Sequence, residues 1–102
     1  GHYSGLQICS GNQDWFAVDL PAGSFLTAET AFRRASGDLN LYLIDGSGQR
    51  TLASGKRGTD GETIHYASQR SQHAYVVVDG FNGASNRYAL TLNRCVDDAY
   101  ED

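Results

Sequence analysis

Within residues 38–45, Leu39, Leu41 and Leu43 share one parity while Asn40 and Tyr42 take the other. A period of two is the pattern of a strand with one buried face. The run stops on Asp45-Gly46-Ser47-Gly48, whose Asp-Gly and Ser-Gly steps are expected to supply the positive backbone angles of a hairpin turn. The same alternation recurs along the chain. Residues 14–20 place Phe16, Val18 and Leu20 inward, Pro21-Ala22-Gly23 turns the chain, and residues 24–32 place Leu26, Ala28, Thr30 and Phe32 inward. Residues 51–54 predict a short edge strand. Further on, 62–66 offers Ile64 and Tyr66, 73–79 offers Ala74, Val76 and Val78, and 87–93 offers Tyr88, Leu90 and Leu92. No window carries a helical period. Short strands separated by turns predict an all-β chain, an antiparallel β-sandwich of about seven to eight strands.

Composition narrows the class. A chain of 102 residues with 40% hydrophobic residues, twelve glycines, one proline and no methionine is long enough for one core and too short for two. No apolar run approaches the roughly 20 residues of a membrane span, and any secretory leader is expected to lie outside these residues. The net charge of −4 is concentrated: Asp97, Asp98, Glu101 and Asp102 supply four of the twelve acids, leaving eight against eight bases. The body is thus near neutral, without the basic surface that nucleic-acid binding demands. Cys9 and Cys95, the only cysteines, bracket every strand predicted here, and first and last strands of a sandwich are often neighbours. A Cys9–Cys95 disulfide is therefore expected, with an oxidising, extracellular compartment; free buried cysteines are the alternative.

Five patterns in one order then point to a family. The series QDWFAVDLPAGSFLTAETAF, DLNLYLIDGSGQRTLASG and ETIHYASQRSQHAYVVVDGFNGASNRYALTL resembles the bacterial pre-peptidase C-terminal domain family over residues 12–93. The resemblance implies a jelly-roll-like sandwich, a non-catalytic accessory module of secreted peptidases and other extracellular or cell-surface proteins, in some relatives binding a substrate polymer such as collagen. The chain departs from the family in having Asp38-Leu39-Asn40-Leu41 in place of D-L-D-L and in lacking an acidic segment before Gln7. On this basis residues 1–8 are expected to be a linker remnant, 9–95 the sandwich, and 96–102 an acidic linker toward a following domain, with a parent catalytic or surface domain in the same chain.

The resemblance also implies calcium as a cofactor to consider. Asp14, Asp38 and Asn40 are the contributors the body offers toward the six to eight or so oxygen ligands that calcium takes; otherwise Asp14 and Asp38 are turn residues capping backbone N–H groups. For binding, parity turns Tyr42, Tyr75 and Val77 outward, and His65 by the same logic. Tyrosines on a sheet face give large, rigid contact area suited to a protein or polysaccharide polymer, although they are also ordinary strand formers. Trp15 is sent outward by parity, or is covered by residues 6–9. Catalysis finds no constellation: His2, His65 and His73 lack zinc spacing, Gly46-Ser47-Gly48 is not a nucleophile elbow, and Asp38 and Asp45 at opposite ends of one strand lie more than about 20 Å apart, too far to share a glycosidic bond.

Overall fold

The computed structural model describes residues 1–9, 11–55, 60–80 and 84–96, Arg34 by its backbone alone. Eight strands make up the fold: β1 (His2–Ile8), β2 (Gln13–Leu20), β3 (Ser24–Ala31), β4 (Leu39–Asp45), β5 (Thr51–Gly55), β6 (Glu62–Ser68), β7 (Gln72–Gly80) and β8 (Asn86–Val96), with one 3-10 turn at Arg34–Ser36. They form two four-stranded antiparallel sheets, β1-β8-β3-β6 and β2-β7-β4-β5. Sequential strands alternate between the sheets except at the β4–β5 hairpin, which is the eight-stranded jelly-roll order. Among the described residues no helix is long and apolar enough to cross a membrane.

The inward rows are those set by parity. Leu26 and Ala28 of β3, Leu39, Leu41 and Leu43 of β4, Ile64 of β6, Ala74, Val76 and Val78 of β7, and Tyr88 and Leu90 of β8 form one buried cluster. Phe16, Val18, Tyr66 and Leu92 pack against it half-buried. Each fully buried aliphatic side chain contributes about 1.5–3 kcal/mol relative to exposure.

The turns follow local chemistry. At Pro21–Ser24 the Ser24 amide donates to the Pro21 carbonyl at 3.0 Å with Gly23 at φ 81°, a type II turn whose third position favours glycine. At the β4–β5 hairpin Gly48 holds φ 77°, whereas Gly46 does not take the positive angle expected of it. The Asp45 carboxylate accepts from the Ser47 hydroxyl at 2.7 Å and from the Gln49 and Arg50 amides at 3.3 and 3.2 Å. The Ser47 bond, first, and these amides hold the Asp45 carboxyl below its ordinary range.

Two expectations are corrected. Residues 1–8 are not a linker remnant: His2–Ile8 is a strand hydrogen-bonded to β8. Its alternation is hidden by a bulge, since three steps from Tyr3 to Leu6 face two from Leu90 to Tyr88. With Gly5 at φ 68°, the extra residue turns Tyr3, Leu6 and Ile8 to one side, and Ile8 is wholly buried. The Cys9–Cys95 disulfide is also overturned, since both thiols are free and exposed. First and last strands are neighbours, but antiparallel: Ile8 lies opposite Asn86, so Cys9 emerges at one end of β8 and Cys95 lies nine residues along it. That is about 30 Å, against the roughly 7 Å that a disulfide spans between Cα atoms. Val96, placed in the linker, closes β8. Residues 97–102 lie outside the described residues.

One polar pair is built into the sandwich. Asp14 shares the inward parity of β2, and its carboxylate accepts from the Tyr88 hydroxyl, a residue only 4% exposed. Burial, and then the Asp14 carboxylate as acceptor and neighbouring charge, push the phenol well above its ordinary value of 10.0. The folded chain thus holds this proton more tightly than the unfolded chain. The stability it contributes is complete below about pH 10 and declines as pH rises beyond it. A melting series from pH 8 to 11 is expected to show this alkaline fall, and Tyr88→Phe to flatten it while costing about 1–2 kcal/mol at neutral pH.

Candidate binding face

The outer face of β2-β7-β4-β5 is laid out by its register. One cross-strand row is Gln13, Asp79 and Asn40; the next is Trp15, Val77 and Tyr42; the next Ala17, Tyr75 and Ile44; the last begins Asp19 and His73. Two apolar rows therefore cross the strands between two polar ones. Strands about 4.8 Å apart and same-face residues about 7 Å apart make the stripe some 10 Å by 7 Å between backbone positions.

Trp15 is open to solvent at 44% exposure. Its ring meets Tyr75 edge to face at 5.5 Å between centroids, a preferred aromatic geometry. The indole N–H donates to Gln13 Oε1 at 3.1 Å, and Gln13 Nε2 in turn donates to Asp79 Oδ1 at 3.4 Å. Asn40 Nδ2 donates to the Tyr42 hydroxyl at 3.4 Å. The rings are thus held by neighbouring amides. At the far row Asp19 pairs with His73, and its main-chain carbonyl accepts from Arg94 Nη1 of the other sheet at 2.7 Å.

Of the residues singled out for binding, Tyr42 and Tyr75 meet here, half-buried. Val77 faces outward with them but is fully buried, so it supports the stripe from between Trp15 and Tyr42 and offers no contact surface. His65 stands apart. It belongs to β6 in the opposite sheet, beside Thr27 and 6.1 Å from the exposed ring of Phe25. Trp15 was legible as outward, and β1 lies in the other sheet, so residues 6–9 are no extension of this one; its place in the stripe needed the register. Residues 56–59 and 81–83 lie outside the described residues.

The calcium candidates do not converge. Asp14 faces the core and is engaged by Tyr88, whereas Asn40 faces outward and is turned to Tyr42. Asp38 has a buried Oδ1 without a hydrogen-bond partner, but one such oxygen is far from the coordination shell calcium requires. Among the described residues no group of three or more His, Cys, Asp or Glu is placed to hold a metal. The three residues therefore do not fit a shared ion.

Solved structures share this architecture. The pre-peptidase C-terminal domain of collagenase from Bacillus anthracis matches with a TM-score of 0.67 at 12% identity, over 88% of this chain and 90% of that one. PliG of Aeromonas hydrophila, a periplasmic inhibitor of g-type lysozyme, matches with a TM-score of 0.68 at 10% identity, over 91% and 88%. No protein-family model and no curated protein sequence matches the chain. The likeness to the pre-peptidase C-terminal domain is therefore one of fold.

Proposed function

We propose that this chain is a non-catalytic accessory module of a secreted or cell-surface bacterial protein, holding its parent domain against an extracellular polymer through the outer face of β2-β7-β4-β5. The observation that carries this is the aromatic stripe of Trp15, Tyr75 and Tyr42 on an outer sheet face that no strand or helix among the described residues covers. The collagenase domain and the periplasmic inhibitor that share the fold support the extracytoplasmic setting. A tether of this kind acts by raising effective concentration at the substrate.

The test is retention of the isolated chain on insoluble collagen, chitin, cellulose and peptidoglycan, with Trp15→Ala and Tyr75→Ala as controls. Retention of wild type on one of them, lost in both variants, is the expected result. Retention on none would favour the alternative, a structural spacer or processed segment that aids folding or secretion of the parent enzyme.

A further inference from the structure

We infer that the polymer taken by this face is a neutral polysaccharide, an inference that rests on the tethering role proposed above and adds the ligand's chemistry to it. Three features of the face select that class. First, the outward residues of β2, β7 and β4 include Asp19 and Asp79 and no Lys or Arg. A polyanion such as nucleic acid or an acidic glycan would meet these carboxylates, with Arg94, reaching the Asp19 carbonyl from the other sheet, at the border of the face.

Second, the face is rich in acceptors. The amide donors of Gln13 and Asn40 are already directed at Asp79 and Tyr42, and ionised carboxylates accept only. The complementary ligand carries many donors in a short length. Sugar hydroxyls supply several per residue, whereas an extended peptide supplies one backbone N–H and needs a strand edge for it.

Third, the apolar surface carries exposed aromatic rings and is bordered by polar rows. Ring faces are negative and favour electropositive C–H groups, which pyranose rings present on their flat sides while their hydroxyls project at the rim. Stacking on the exposed Trp15 ring, with the edge-to-face Tyr75 beside it and hydroxyls donating to Asp79, uses both kinds of row at once.

Trp15 is the sole tryptophan of the chain, so its emission reports on the site. Titration with soluble hexasaccharides of glucose, N-acetylglucosamine, mannose and xylose is expected to give a saturable change with at least one of them. Binding should be nearly unaffected by raising salt from 50 to 500 mM, and weakened about tenfold or more by Tyr75→Ala. Heparin is expected to give no saturable signal. If no neutral hexasaccharide binds while collagen still retains the chain through Trp15 and Tyr75, the ligand class is wrong and the tethering face stands. If heparin binds with steep salt dependence, the charge argument is overturned. Absence of binding to every sugar and every insoluble polymer would sink both proposals.

Discussion

Leu41→Ala is expected to destabilise the domain by about 2–5 kcal/mol. Leu41 has no exposed surface and sits mid-strand in β4, between Val78 of β7 and Gly55 of β5. Truncation there removes apolar atoms from the cluster that joins the two sheets, and a hydrogen-bonded sheet cannot collapse far into the void. Domains of this size have only about 5–15 kcal/mol in total, so the loss is a large share. Each kcal/mol corresponds to roughly 4–8 °C in melting temperature, which puts the fall at about 10 °C or more. Urea unfolding should move the midpoint with an unchanged slope. Thr51→Ala, at an exposed edge position of β5, is the matched control, expected within about 0.5 kcal/mol. A shift of less than 1 kcal/mol for Leu41→Ala would mean that the row through β4 does not bind the sheets together.

Much of that core was readable from alternation, because each strand from β2 to β8 has one face in the cluster and the pleat forces a period of two. Where alternation misled, a pairing relation was missing. In β1 the Gly5 bulge breaks the period, so no local pattern shows that Tyr3, Leu6 and Ile8 face one way. Adjacency of the first and last strands, which is correct, leaves out the antiparallel sense that puts Cys9 and Cys95 at opposite ends. Parity gives inside or outside but not which sheet, so by itself it groups His65 with tyrosines on the other side of the domain. It is also silent on lateral crowding: Val77 points outward yet lies buried between two aromatic neighbours. The calcium trio held its own warning, since Asp14 shares parity with inward Phe16 and Asn40 alternates with inward Leu39 and Leu41.

At the loop end of the sandwich, Gly37→Ala is expected to cost about 2–4 kcal/mol although it adds a single methyl group. Gly37 holds φ 142°, a conformation that L side chains rarely adopt. A Cβ there would also overlap the main-chain carbonyl oxygen of Ser85. Neither partner can withdraw freely. Asn86 Nδ2 donates to the carbonyls of Gly37 at 2.7 Å and Arg33 at 2.8 Å, clamping the segment that leads into β4 against the start of β8. Gly80, opposite Leu39 at the end of β7, is closed in by the main chain of Ala84 in the same way. The two glycines therefore let the β3–β4 connection and the end of β7 approach the residues just before β8 within backbone contact. Relief by moving residues 84–86 would break the Asn86 clamp, so the strain and the lost hydrogen bonds add. Asn86→Ala separates the contributions: it should cost only about 1–2 kcal/mol and make a following Gly37→Ala less damaging than in the parent chain. A double-mutant cycle by urea unfolding measures that coupling. Strict additivity would show that the clamp and the close approach act independently.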